Sequence, residues 1–174
     1  MKCVQDKILF DLPIGWIWVR LGSICDYGSC DSVAATSISD DAWILDLEDI
    51  EKDTAKVFQF IHKRERPFTS AKHFFSKGQV LYSKLRPYLN KVVIASEDGY
   101  CTSEILPLSF NIEICSDYVR MFLMSSYFLA YANQCSYGVK MPRLGTADGK
   151  KALFALPPLK EQTRIAKVVL ATYQ

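Results

Sequence analysis

The sequence is short of the features that most enzymes and membrane proteins depend on. Only two histidines, His62 and His73, occur among its 174 residues, and neither has the partners that a general base requires. No run of about 18 apolar residues is present, which argues against a membrane span. The first residues also lack the apolar core of a signal peptide. We therefore predict a cytoplasmic protein.

Sequence motifs for phosphate binding, nucleophilic catalysis and zinc binding are missing as well. There is no P-loop and no glycine-rich dinucleotide turn, and neither a Gly-x-Ser-x-Gly elbow nor a His-Glu-x-x-His motif is present. An Asn/Asp-Pro-Pro-Tyr/Phe motif, typical of amino-methyltransferases, is also absent. The stretch Asp148-Gly149-Lys150 matches half of a metal-dependent nuclease motif, but this tripeptide is common. These absences favour a non-catalytic binding module, and a nuclease using Asp148 and Lys150 is an alternative.

The six cysteines are not arranged as a zinc site. They are Cys3, Cys25, Cys30, Cys101, Cys115 and Cys135. An even number permits three disulfides, yet no Cys-x-x-Cys pair occurs, and a chain of this size does not need cross-links to fold. We expect reduced and mostly buried thiols and no bound metal.

Composition and charge describe a single globular domain with an uneven surface. Apolar residues make up 49% and charged residues 23% of the chain, and the net charge is only +2, which is typical of an ordinary folded domain. However, residues 62–91 contain eight Lys or Arg and one acid, whereas residues 1–61 contain five Lys or Arg and eleven acids. Basic segments favour a phosphate-binding surface. A solvated face, or a domain that docks an acidic protein partner without binding DNA, is the alternative.

Hydrophobic patterns predict an α+β fold. The predicted strands cover residues 16–21, 43–47, 79–86, 91–96 and 101–110, with the last two forming a hairpin. Ser116 and Asp117 look like the N-cap of a helix over residues 118–133 whose apolar residues run almost all round, which indicates burial. Residues 139–151 are predicted to form a polar loop, and residues 160–174 a terminal helix. We expect a mixed, mostly antiparallel twisted sheet packed on the buried helix.

Four phrases of the sequence, in order, resemble the target recognition domain of type I restriction–modification specificity subunits. They lie at residues 12–22, 78–95, 102–108 and 141–144. The junction Leu-Pro-Pro-Leu-Lys-Glu-Gln-x-x-Ile at residues 156–165 resembles the end of such a domain. There Pro157 and Pro158 stop a strand and begin a helix. The resemblance implies a recognition domain over residues 1–156 and the start of a conserved spacer helix at residues 157–174.

This resemblance implies a specificity subunit that reads half of a bipartite DNA target. S-adenosylmethionine, ATP and magnesium are then expected on partner modification (methyltransferase) and restriction subunits, and no cofactor is expected in this chain. Arg and Lys suit phosphates or guanine, amides and hydroxyls suit base edges or phosphates, and a carboxylate suits cytosine N4. The expected DNA contacts are Arg64, Arg66, Lys72, Lys84, Arg86, Tyr88, Asn90, Lys91, Ser103, Glu104, Lys140, Arg143 and Thr146. For Glu104, pairing with a nearby base is an equally strong interpretation.

The terminal helix carries an apolar stripe that is available for contact with another subunit. The expected contact residues are Leu159, Gln162, Ile165, Val168 and Val169. Full specificity subunits of this family carry two recognition domains, and this sequence is expected to form one of them. A half-subunit would form a homodimer through this helix and read a symmetric site, whereas a truncated form would not.

Overall fold

In the computed structural model, residues 10–172 are described. The strands are β1 (Ile17–Arg20), β2 (Ser32–Val33), β3 (Trp43–Leu45), β4 (Ile61–His62), β5 (Lys72–Phe75), β6 (Val80–Ser83), β7 (Val92–Ile94), β8 (Gly99–Cys101), β9 (Ile105–Leu108) and β10 (Leu153–Leu156). The α-helices are α1 (Leu21–Ile24), α2 (Ser116–Met124), α3 (Ser126–Cys135), α4 (Thr146–Lys151) and α5 (Leu159–Thr172). Three short 3₁₀ helices cover Ala35–Ser37, Leu47–Asp49 and Pro87–Leu89.

The centre of the fold is an antiparallel sheet of three strands in the order β7-β6-β9. Successive side chains of a strand point to opposite faces, and both faces of this sheet are buried. Val80 and Tyr82 pack with α2 and α3 in what we call the helical core. Leu81 packs with Val93 and Ile105 in the second cluster, the sheet core. The strand β6 therefore contributes to both hydrophobic cores.

The sheet core lies against a mixed sheet of five strands in the order β2-β5-β8-β3-β4. Its only parallel pair is β3 with β8, and its other pairings are antiparallel. A third, two-stranded sheet pairs the first strand, β1, with the last strand of the described residues, β10. The predicted α+β class with mostly antiparallel strands is confirmed.

The predicted hairpin between residues 91–96 and 101–110 is wrong. Both β7 and β9 pair with β6, and β8 leaves for the five-stranded sheet between β5 and β3. Gly99 permits this insertion, because a Cβ atom there would lie 2.9 Å from the carbonyl oxygen of Trp43. Alternating hydrophobicity identifies a strand but not its neighbour, so the sequence pattern could not show this exchange.

The predicted helix over residues 118–133 is two helices, separated at Ser125. The Ser125 backbone is extended (φ −66°, ψ 152°), and its hydroxyl accepts a hydrogen bond from the Phe128 N–H at 3.3 Å. Serine competes with helical hydrogen bonding in this way. The predicted N-cap at Ser116 and Asp117 is also displaced, because Cys115 is the N-cap of α2.

Two further expectations need correction. The predicted loop at residues 139–151 contains α4, whose Gly149 packs so closely on Tyr27 that a Cβ atom would lie 2.1 Å from the ring. Cys25, Cys30, Cys101 and Cys115 are free thiols as expected, but Cys135 is disulfide-bonded.

Across residues 10–172, no helix has the length and apolar character needed to cross a membrane.

Candidate nucleic-acid interface

Three segments that are distant in sequence meet at one surface. The Lys84 N–H donates to the carbonyl of Glu104 at 3.0 Å, and the Leu144 N–H donates to the carbonyl of Lys84 at 3.0 Å. The Arg86 N–H donates to the carbonyl of Pro142 at 2.7 Å. Residues 84–91, 102–104 and 137–146 therefore form what we call the three-segment surface. The expected DNA contacts within these ranges come together here.

The backbone beside β6 is held in an uncommon conformation. Arg86 (φ 49°, ψ 60°) and Asn90 (φ 49°, ψ 50°) are both left-handed and flank the 3₁₀ helix Pro87–Leu89. Residues other than glycine adopt this conformation at a steric cost. The Arg86 N–H bond to Pro142 and a bond from the Asn90 amide to the carbonyl of Met124 (3.2 Å) hold the segment in place. The exposed side chains of Arg86 and Tyr88 are thus carried by a fixed backbone.

Arg143 and Glu104 form a two-pronged ion pair across the surface. The Nε–Oε2 and Nη2–Oε1 distances are both 2.9 Å, a geometry that adds directionality to the attraction. Hydrogen bonding to Glu104 raises the pKa of the Arg143 guanidinium. The structure therefore shows Glu104 in its alternative role, pairing with a nearby base.

A pocket of about 290 Å³ opens beside this surface. Its lining consists of Leu47, Glu48, Ser83, Leu85, Arg86, Leu89, Lys91 and Met141. The Lys91 ammonium donates to the carbonyl of Leu47 at 2.6 Å. Burial lowers the pKa of Lys91, against the raising effect of Asp49 and Glu48. Lys91 thus links β7 to the neighbouring acidic segment.

The first basic block lies against acids of the same chain. Arg66 binds the fully buried Asp49 through two contacts, Nη1–Oδ2 at 2.6 Å and Nη2–Oδ1 at 2.7 Å. The ammonium of the buried Lys72 lies 2.8 Å from Asp46, and exposed Arg64 lies 2.7 Å from Asp41. Contact of these three residues with DNA stays a prediction. The excess of Asp and Glu in residues 1–61 was the sequence signal that these basic side chains could pair within the chain.

Opposing effects set the charge state of Asp49. Burial raises the pKa of this carboxyl, but hydrogen bonds from Arg66, from the Asp46 backbone and from Gln59 together lower it below its ordinary value. Hydrogen bonds from Asp49 raise the pKa of Arg66. Asp49 and Arg66 are therefore a charged pair at neutral pH, and their geometry serves the fold.

The remaining expected DNA contacts differ in exposure. Ser103, Lys140 and Thr146 are exposed, and Lys84 is half-buried. No side-chain hydrogen bond or ion pair within residues 10–172 holds the charged groups of Lys84, Arg86 or Lys140. Contact of these residues with DNA stays a prediction.

The expected subunit contacts on α5 also differ. Gln162 is buried: its Nε2 donates to the carbonyl of Pro157, and its Oε1 accepts from the Cys115 N–H, both at 2.9 Å. Leu159, Ile165 and Val169 are half-buried, whereas Val168 is exposed. Gln162 therefore fastens α5 to its own domain, and contact of the five residues with another subunit stays a prediction.

The nuclease alternative gains no support from the site geometry. Asp148 and Lys150 lie on α4, and Asp148 is 3.9 Å from Lys151. Within the part of the chain that the structure describes, no group of three or more His, Cys, Asp or Glu residues could hold a metal ion.

The fold is that of the specificity subunits of type I restriction–modification systems. The HsdS subunit from Thermoanaerobacter tengcongensis superposes with a TM-score of 0.75 at 24% identity, over 94% of this chain and 43% of that one. The S subunit from M. genitalium gives 0.60 at 12% identity, over 93% and 40%. A chain from a structural study of complex assembly in the type I R-M system gives 0.64 at 20% identity, over 97% and 41%. Each of these structures is matched over less than half of its own length.

Sequence comparison identifies the chain as a homologue of type I restriction enzyme specificity subunits. It is 30% identical over 169 residues to the EcoDI specificity subunit of Escherichia coli. The match covers 97% of this chain and 37% of that protein, so the chain spans less than two fifths of its relative. No protein-family model matches the sequence.

Proposed function

We propose that this chain is a non-catalytic recognition domain that reads one half of a bipartite target in double-stranded DNA. The observation that carries the proposal is the three-segment surface. Its segments overlap three of the phrases that resemble the recognition-domain family, and they present Lys84, Arg86 and Lys140 without intramolecular charge partners among the described residues. The named relative is a type I restriction enzyme specificity subunit, which supports the same function.

The surface supports a division of roles among its side chains. Lys84, Arg86 and Lys140 suit phosphate oxygens, which set affinity and position. Tyr88, Ser103 and Thr146 are exposed residues whose hydroxyl groups suit base edges or phosphates. Arg143 and Glu104 hold the third segment against the first two. Phosphate attraction and base reading would thereby be combined on one surface.

The chain would act as the specificity component of a larger complex in the cytoplasm. Modification and restriction subunits would supply methyl transfer and cleavage, with S-adenosylmethionine, ATP and magnesium bound to them. Residues 157–174 would begin a spacer helix that follows the recognition domain of residues 1–156. The exposed Val168 and Leu170 on α5 are consistent with a further contact along that helix.

The test is duplex binding by this chain assembled with its modification subunits. Selection from random duplexes should enrich one half-site, and affinity for that site should fall steeply as salt rises, because bound phosphates release counterions. Methylome sequencing of the host with and without the gene should show the same half-site modified. Binding that ignores both sequence and salt would contradict the proposal.

A homodimer through α5 is the second part of this proposal. The mass of the isolated chain, measured by light scattering over a range of concentrations, should rise from one to two chains, and the selected site should be symmetric. Replacement of exposed Val168 by Asp should shift the mass towards one chain. A constant single-chain mass would refute the homodimer and leave DNA recognition to be judged by the binding test.

A further inference from the structure

Residues 137–143 form a small hairpin on the three-segment surface. Tyr137 and Arg143 exchange two backbone hydrogen bonds, with N–O distances of 3.1 and 2.9 Å. Gly138 has a φ of +101°, and a Cβ atom there would lie 3.1 Å from the carbonyl oxygen of Met141. The turn therefore depends on glycine and closes tightly.

The base of this 137–143 hairpin is fixed to the domain from both sides. The Arg143 side chain pairs with Glu104, and Pro142 accepts from the Arg86 N–H. Gly145 packs against the Tyr137 ring, where a Cβ atom would lie 2.9 Å away. These contacts hold the hairpin in one orientation before any ligand arrives, which reduces the entropy lost on binding.

The tip of the hairpin is apolar and faces solvent. At the tip, Val139 is 100% exposed and Met141 43%, while Tyr137 at the base is 62% exposed. Lys140 is the tip's single charge. Exposed apolar groups clustered on one element favour a contact surface, whereas single exposed apolar residues are ordinary. Valine and methionine offer nothing to a phosphate, so the tip suits apolar groups.

Groove dimensions select the target of this tip. The backbones of two paired strands lie about 4.8 Å apart, and their side chains add to the width of the hairpin. The minor groove of B-DNA is about 6 Å wide, whereas the major groove, about 12 Å wide, admits a two-stranded ribbon. The apolar group displayed in the major groove is the 5-methyl of thymine.

We infer that Val139 is a specificity-determining residue that contacts the 5-methyl group of a thymine in the major groove. This inference rests on the proposed function. It assigns apolar base reading to the hairpin tip, while the cations of the three-segment surface bind phosphates.

The experiment replaces the thymines of the selected half-site by uracil, one at a time. Uracil lacks the 5-methyl group but keeps every hydrogen-bonding group of thymine. With the wild-type chain assembled with its modification subunits, one such replacement should lower affinity about fourfold, the value expected for one buried carbon. With Val139→Ala the same replacement should change affinity by less than about 1.5-fold, because its contact is already lost.

Three controls distinguish a methyl contact at Val139 from a general loss of binding or folding. Ile14→Ala, a truncation at another fully exposed aliphatic residue, should leave the uracil effect unchanged. Lys140→Ala should reduce the salt dependence of binding, whereas Val139→Ala should not. Thermal unfolding of each variant should match the wild type, since the substituted side chains are exposed.

The failures of the two proposals are distinguishable. If the wild-type complex shows no sequence preference, the proposed function itself fails. If binding is specific but no uracil substitution matters, or if the uracil effect persists in Val139→Ala, only the role of Val139 is overturned. That role is also overturned if Val139→Ala prevents assembly with the modification subunits, because the tip would then be a protein contact.

Discussion

Two arginines of the same basic segment end in opposite surroundings. Arg66 is bound through both terminal nitrogens to the buried carboxylate of Asp49. Arg86 lies on a strained, left-handed backbone with its guanidinium exposed on the three-segment surface. The sequence presents them as equivalent positive charges. Their different environments predict different consequences when each is replaced.

Replacing Arg86 by Ala should weaken DNA binding without weakening the fold. Alanine meets a similar steric cost at a φ of 49°, so the backbone is not relieved or further strained. If Arg86 binds a phosphate, the slope of log affinity against log salt should fall by about one, as measured by titration at several salt concentrations. Lys77→Ala, which removes the same charge at another exposed position, serves as the control. An unchanged slope would place Arg86 away from the phosphates.

Replacing Arg66 by Ala should weaken the fold. Asp49 would keep a buried charge without its partner, which costs about 3–5 kcal/mol in the free energy of unfolding. Chemical denaturation measures this loss. Arg64→Ala removes a pair in which both side chains are exposed and should cost no more than about 1 kcal/mol. Equal effects of the two substitutions would contradict the structural role of Arg66.

The Asp49 carboxyl should also make stability depend on acid pH. Its pKa in the folded protein is below the ordinary value. Its contribution to the free energy of unfolding is therefore complete above the pKa of the unfolded state, which is about 4. The contribution is lost as pH falls through the folded pKa. The destabilisation caused by Asp49→Asn should therefore shrink below about pH 4, as measured by denaturation across that range. A difference that does not vary with pH would exclude this linkage.

At the scale of elements, one glutamine joins α5 to the rest of the domain. Gln162→Ala would leave the Cys115 N–H and the Pro157 carbonyl without their partners. The expected loss is about 2–3 kcal/mol in the free energy of unfolding, because both groups lie at a buried junction. Thr163→Ala, on the exposed face next to it, should change stability by less than about 0.5 kcal/mol. A similar loss for both would mean that α5 is not fastened by Gln162.

At the scale of the whole molecule, β6 should make the two cores unfold together. Leu81 belongs to the sheet core, and its neighbours Val80 and Tyr82 belong to the helical core. Leu81→Ala should cost about 2–5 kcal/mol and lower the unfolding midpoint of both cores equally. Variants that retain only Trp43, in the sheet core, or only Trp16, beside Tyr118, report the two transitions by fluorescence. Separate midpoints would contradict this coupling.

Local sequence patterns predicted where most strands and helices lie, but not which strands pair with each other. Apolar and β-branched runs located β1, β3 and β7, imperfect alternation located β6, and the double proline located the start of α5 within one residue. The exchange of β8 into another sheet depends on Gly99 approaching Trp43, a contact between residues 56 positions apart. The break at Ser125 arose from one side-chain hydrogen bond inside an apolar run.

The candidate site shows the same division. Residues 84–91, 102–104 and 140–146 were each predicted from the sequence, but their meeting depends on backbone hydrogen bonds that join them. The Val139 tip was not predicted, because valine in a polar loop carries no sign of its exposure. The sequence signal for the turn of this hairpin was Gly138, which lies between the paired residues Tyr137 and Arg143.

The sequence by itself determined the fold class, the strand and helix periods and the resemblance to the recognition-domain family, because these depend on residues near one another in the chain. Tertiary structure alone decided which basic residues remain available to an external anion. A positive charge in the sequence has no fixed partner until folding brings an acid to it, as with Asp49 and Arg66, or leaves it exposed, as with Arg86.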